Sequence, residues 1–265
     1  LGVQWICMAL LVPLPWSERP WALPFLTRLA PSQRANEQAE RRHRTTVELT
    51  IGMVSLVARW LKPRRWVLVG DGAYASVQLA WEAWVVNVTL VSRRRLDARL
   101  FAFPEAPVPG RRGPKPKKGA ALEKLSTRLE QARTQGEPTT VHWDGQPKTL
   151  HLLSAVCLWH TPGWPPLPIR WVLVVDPVGR LPTQAFFTTD VHMTPARVVE
   201  IFVWRWSIKV TFEEVRRHLG VETQRQWTVL AIARTTPVLM ALFSLVTLMV
   251  YQWREHWPTL PRSTA

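Results

Sequence analysis

The stretch RRWVLVGDGAYASVQLAWEAWVVNVTLVS, residues 64–92, decides how this chain folds. RRWVLVGDG is a short β-branched run ending in glycine, AYASVQLAWEAW follows with helical spacing, and VVNVTLVS is a second buried-type run. Strand, helix, strand is a βαβ unit, and two strands joined by a crossover helix lie parallel. The pattern therefore predicts an α/β fold.

Upstream, Val47, Ile51, Val54, Val57 and Leu61 recur at helical spacing and predict a helix over residues 45–61. PLPWSERPWALP, residues 13–24, reads as turn-rich, and VQWICMALLV before it as a strand. The chain opens at Leu1 in mid-strand without Met and reads as a fragment of a longer protein. Downstream, residues 93–120 mix Pro, Gly, Arg and Lys without periodicity, which suits either a disordered linker or a cationic arm following a phosphate backbone. The arm's candidate contacts are Arg93, Arg94, Arg95, Arg111, Arg112, Lys115, Lys117 and Lys118. Two hairpins, about Asp144-Gly145 and about Pro177 to Gly179, make an antiparallel β insertion at 139–190. A long helix over 195–219 and a helix over 236–251 complete the chain, whose 265 residues suffice for one large domain or two modest ones.

Lys and Arg number 34 against 19 Asp and Glu, a net charge of +15, which favours a polyanionic partner, foremost nucleic acid. The 16 tryptophans suit base stacking or a membrane-surface belt. The apolar run at 238–250 is shorter than the roughly 18 residues a spanning helix needs, so a buried core helix and no membrane are expected. Cys7 and Cys157 form no pairing motif, which makes a reducing cytoplasmic compartment the default.

Three readings compete for VLVGDGAYA. Gly70, Gly72 and Ala75 satisfy the dinucleotide-binding pattern, which would make the chain an NADP-binding enzyme, but no acid follows about 20 residues on, and Asp71 brings a negative charge where a pyrophosphate would sit. Asp71 could instead cap the following helix. Or it could stand at the carboxyl end of a parallel strand as a ligand for a divalent metal. The other aspartates, Asp97, Asp144, Asp176 and Asp190, fall in the arm, at turns or at a strand end. His142, His151 and His160 form no tight pair, against a zinc site.

On the long helix, Ile201, Ile208, Phe212, Val215 and Leu219 fall within one arc at about 100° per residue and form its core stripe. Arg205, Lys209 and Arg216 flank that stripe. Glu213 lies about 40° and roughly 6 Å beyond Lys209. It is the nearest carboxylate that could join Asp71, or an exposed Glu paired with Lys209 or Arg217.

These stretches resemble the DDE transposases of bacterial insertion sequences. The likeness is carried by VQWICMALLVPLPWSERPWALPFLT, RHRTTVELTIGM, VLVGDGAYA and FVWRWSIKVTFEEVRRHLGVETQRQW. It implies one RNase H-like catalytic domain over residues 1–265 lacking its N-terminal part, a mixed sheet flanked by helices with the β insertion before the last catalytic helix. It implies transposition by metal-dependent strand cleavage and transfer, with a pair of Mg²⁺ or Mn²⁺ ions held by three carboxylates. The partners implied are double-stranded DNA, at end repeats and target, and a second copy in a homodimer, associated with the bacterial nucleoid. Asp71 matches the second catalytic acid. The family's C-terminal signature (Tyr, two residues, Arg, three residues, Glu, six residues, Lys) meets Phe202, Arg205, Lys209 and Arg216 here. Lys209 thus occupies the glutamate's place, and the first Asp is expected upstream of Leu1. The resemblance implies a truncated, catalytically incomplete enzyme, with a non-catalytic DNA-binding remnant as its alternative.

Overall fold

A computed structural model describes residues 4–105, 116–143, 145–223 and 228–254. In chain order its elements are β1 (Gln4–Val12), β2 (Trp21–Ala30), α1 (Gln33–Gln38), α2 (Thr46–Trp60), β3 (Trp66–Gly70), α3 (Val77–Val85), β4 (Val88–Arg94), α4 (Leu129–Gln135), β5 (Glu137–Trp143), β6 (Gln146–Trp159), β7 (Leu167–Val175), β8 (Gln184–Thr188), α5 (Pro195–Trp204), α6 (Ser207–Leu219) and α7 (Val229–Trp253). They fall into two compact units, one of Val54–Val203 and one of Leu1–Met53 with Trp204–Ala265.

The unit of residues 54–203 is built on a six-stranded sheet in the order β3-β4-β8-β7-β6-β5. β3 and β4 pair in parallel from Trp66↔Val88 to Gly70↔Ser92, with α3 as their crossover, as the 64–92 pattern requires. α3 buries Val77, Leu79, Ala80 and Ala83, and β4 buries Val88, Leu90 and Val91. The remaining pairings are antiparallel, so the sheet is mixed. This is the RNase H-like mixed α/β architecture. The insertion strands form no separate layer: β8 pairs with β4, so β5 to β8 extend the parallel pair into one sheet. Trp171, Phe186, Phe187 and Ile169 fill its core.

Both hairpins have a local cause. Trp143 pairs with Gln146 across a two-residue turn whose Gly145 has φ 80°, a conformation that favours glycine; Asp144 lies outside the described residues. Between β7 and β8, the Asp176 carboxylate accepts from the amides of Val178, Arg180 and Leu181. Desolvation pushes that carboxyl up, but the three amide bonds outweigh it and hold it below the usual carboxylate range.

In the other unit, β1 and β2 form a two-stranded antiparallel sheet. β2 corrects the expectation of a turn-rich 13–24, because the strand already begins at Trp21. Its register shifts where Met8 faces Leu26 and Ala9 faces Pro24; a bulge tolerates a residue that cannot donate to the ladder. Thr211 of α6 and Ser244 of α7 donate to the carbonyls of Ala22 and Pro24, at 2.7 and 2.6 Å. Val215, Val221 and Met240 form a small core, with Phe212, Leu219 and Phe243 against it. At the start of α2, the Thr45 hydroxyl accepts from the Glu48 amide while the Glu48 carboxylate accepts from the Thr45 amide, a reciprocal cap.

Two helix expectations are corrected. The single helix over 195–219 is two, α5 and α6, separated at Arg205–Trp206, where Ile208 and Lys209 bond back only three residues. No Gly or Pro marks that break in the sequence. The C-terminal helix is 25 residues long, because Thr228 caps it and it runs through Pro237. Its span Leu230–Trp253 is long and apolar enough to cross a membrane, with a mean hydropathy of 1.6 over an 18-residue stretch of which 22% is buried. It is therefore not the short core helix expected: its buried positions are Thr236, Met240, Ser244 and Thr247, while Leu242, Leu245 and Met249 stay exposed.

Candidate active site

β3 ends at Gly70, and Asp71 turns the chain out of the sheet. Asp71 caps a 3-10 turn over Gly72–Tyr74: its Oδ1 accepts from the Ala73 amide at 2.9 Å. Its backbone carbonyl accepts from Ser92 Oγ of β4 at 2.7 Å, which ties the turn to the neighbouring parallel strand. Gly70 is buried, and a Cβ there would lie 2.9 Å from Tyr74 Cβ, so only glycine lets the tyrosine fold back over the strand end. Gly72 faces open space.

Asp71 is thus a cap, and it is also exposed: one oxygen is spent on the turn and the carboxylate faces solvent at the carboxyl end of a parallel strand. The dinucleotide reading loses its cradle. The Ala73 amide is already taken by the carboxylate, and α3 starts only at Val77, past an intervening 3-10 turn, so no helix N-terminus opens onto the Gly70–Gly72 loop.

The other candidates lie on α6 or beside it. Lys209 is exposed, its ammonium 5.6 Å from the Trp206 ring centroid. Glu213 is exposed and makes no ion pair with Lys209 or Arg217, against the pairing weighed from the sequence. Glu214 instead pairs with His218 at 3.2 Å, and Arg216 with Glu222 at 2.6 Å. Arg205 is half-buried at the break between α5 and α6. That break also voids the common arc drawn from Ile201 to Leu219: Thr211 and Val215 are the residues α6 buries. Phe202 belongs to the other unit, packed on Phe186 at 4.3 Å.

The first part of the basic arm is tied to the sheet, and residues 119–120 bond back to Ala102 of that part. Arg93 and Arg94 belong to β4, and Phe101 exchanges backbone hydrogen bonds with Leu158 of β6. Arg93 is exposed, but the Arg94 guanidinium lies 4.0 Å from the Trp159 ring centroid and its Nε has no hydrogen-bond partner among the described residues. Burial pushes Arg94 down to about 10. Arg95 forks onto Asp97 through two bonds of 2.8 and 2.7 Å. Lys118 sits 3.7 Å over Phe101 and donates to His160 Nδ1 at 3.2 Å, while Lys117 is exposed. Arg111, Arg112 and Lys115 lie outside the described residues. Burial pushes the Cys157 thiol up to about 12, so it stays protonated and carries no nucleophilic chemistry.

Among the described residues, no group of three or more His, Cys, Asp or Glu side chains could hold a metal ion. Asp71, with one oxygen engaged, offers a single ligand. That donor set does not fit a pair of divalent cations, each of which needs several oxygen ligands.

No curated protein matches the sequence. The family model described as DDE superfamily endonuclease matches residues 1–149, from β1 into β6 and including Asp71, with positions 205, 209, 213 and 216 beyond the match. That is more than half of a 265-residue chain, and the chain belongs to the DDE superfamily endonucleases.

Proposed function

We propose that this chain is a DNA-binding protein of the transposase type, acting on insertion-sequence ends, in which metal-dependent strand cleavage and strand transfer are impaired. Endonucleases of this family act on DNA and in general use divalent metal ions. Two separate observations support the reading: Asp71 is exposed at a parallel strand end, and the sequence has a lysine, Lys209, where the family pattern has its glutamate. Replacing a carboxylate with an ammonium removes a metal ligand and adds like-charge repulsion against any bound cation. Glu213, one turn further along α6, is the only nearby substitute on that helix.

What the chain keeps is charge. A net +15 favours the phosphate backbone, and releasing counterions from it makes binding fall steeply with salt. Arg93, Lys117 and Arg205 are the residues for that contact, together with those of the arm beyond the described residues. A homodimer in the bacterial nucleoid, each copy holding one end repeat, suits this role. The non-catalytic remnant differs only in having no residual turnover.

The test is nicking of supercoiled DNA in Mg²⁺ or Mn²⁺ by the wild-type chain and Asp71→Ala, beside a binding titration. The expected result is salt-sensitive binding with nicking near background in both. Strong nicking abolished by Asp71→Ala refutes the impairment; strong nicking that survives it refutes the site.

A further inference from the structure

β3 and β4 are parallel neighbours, so the turns that lead into them lie at one end of the sheet, opposite the end that carries Asp71. The last turn of α2 and the segment after it bring Arg59, Lys62, Arg64 and Arg65, all exposed and none paired with a carboxylate among the described residues. Five arginines elsewhere do have a carboxylate partner: Arg42 with Glu48, Arg95 with Asp97, Arg133 with Glu130, Arg197 with Glu200 and Arg216 with Glu222. The 59–65 segment itself contains no acid. Four bare cations in seven residues repel one another, and an anion relieves that repulsion.

The second turn, after α3, adds an aromatic surface. Trp84 is 50% exposed and stacks on Trp81, ring centroids 4.8 Å apart and planes 9° from parallel. The stack holds the Trp84 ring in one orientation while half of it faces water. Asn87, with φ 61°, makes the turn tight, and its amide bonds back to the Trp84 carbonyl. At the end of α2, Trp60 is 58% exposed. Two large aromatic rings left in water beside unpaired cations are the parts of a site for unpaired bases: the rings stack and the cations follow the phosphates.

We infer that this end of the sheet binds single-stranded DNA, with Trp84 as the stacking platform for an unpaired base and Arg59, Lys62, Arg64 and Arg65 on the flanking phosphates. The inference rests on the DNA reading above and adds the strand form and the place. β3 separates this surface from Asp71 by about 13 Å, four residue steps of a strand, so the two can be altered independently.

The test is fluorescence anisotropy with a labelled oligothymidylate and with a duplex of equal length, across a salt series. Trp84→Ala should weaken the single strand about five- to 150-fold and the duplex far less, with Trp84→Phe recovering most of the loss. R59Q/K62Q/R64Q/R65Q should lower the salt slope for the single strand by about 3. Wild-type binding with unchanged affinity in Trp84→Ala overturns the platform, as does an equal loss on both DNA forms. An unchanged salt slope in the quadruple variant overturns the phosphate contacts. If the wild-type chain binds neither DNA form, this inference and the DNA reading fall together; if it binds duplex alone, only this inference falls.

Discussion

The sequence reads Arg94 as a DNA contact and the structure buries it against Trp159, so Arg94→Met separates the two roles. Burial pushes the guanidinium from 12.5 to about 10. At about 1.4 kcal/mol per tenfold change, that depression is about 3 kcal/mol of charge burial, and about 2 after discounting for its partial exposure. Against this stands the face contact with Trp159 at 4.0 Å, about 1 kcal/mol. Methionine keeps the apolar stem and sets a thioether near the same ring, a contact of comparable size. It also removes the unpartnered Nε. The expected outcome is a protein stabilised by about 1–2 kcal/mol, a melting temperature higher by about 2–8 °C, and unchanged affinity for duplex DNA. Paired calorimetric melts and binding titrations measure both. A destabilisation beyond about 1 kcal/mol, or a loss of DNA affinity equal to that of Arg93→Gln, would refute the reasoning.

Gly70→Ala should lower stability by about 1–3 kcal/mol, because its Cβ meets Tyr74 at 2.9 Å, whereas Gly72→Ala, facing open space, should stay within about 0.5 kcal/mol; urea midpoints compare them. Thr211→Val should cost about 1–3 kcal/mol by stranding the Ala22 carbonyl, and hydrogen exchange should show faster opening of β2. The Asp176 carboxyl, held below its unfolded value, contributes stability that is present above that value and lost as pH falls through the folded one. Melts of wild type and Asp176→Asn should therefore converge as pH drops below about 4; parallel curves would show that the carboxylate does not hold the β7–β8 turn.

Local signals were the legible ones. The βαβ unit, the helix over 45–61 and the Asp144-Gly145 turn each express a rule acting within a few residues, and each has its counterpart in the structure. Pairings distant in sequence were not legible: nothing in QAFFT announces that β8 joins β4, which merges the insertion with the parallel strands. The bulge at Pro24 hid β2 inside a proline-rich stretch, because proline argues against a strand except at such a point. The helix expected over 236–251 is longer at its start, because α7 is capped by Thr228 and runs through Pro237. At the site, the placement of Asp71 followed from the strand and glycines around it. Its capping bond to Ala73 and exposed face needed coordinates. The arc drawn for the catalytic-type helix assumed an unbroken turn through Arg205, and the break there removes its geometry. The cation and tryptophan surface at the opposite end was missed because its parts lie on turns about 20 residues apart, and only the parallel pairing brings them to one edge.

We propose that this chain holds DNA without, among its described residues, the donors for a two-metal centre. Titrating Mn²⁺ into the DNA-bound protein and counting tightly bound ions by electron paramagnetic resonance tests it most directly. No spin-coupled Mn²⁺ pair is expected, and no more than a weak single ion at Asp71. A tight, coupled pair of ions per chain, lost in Asp71→Ala, would contradict it.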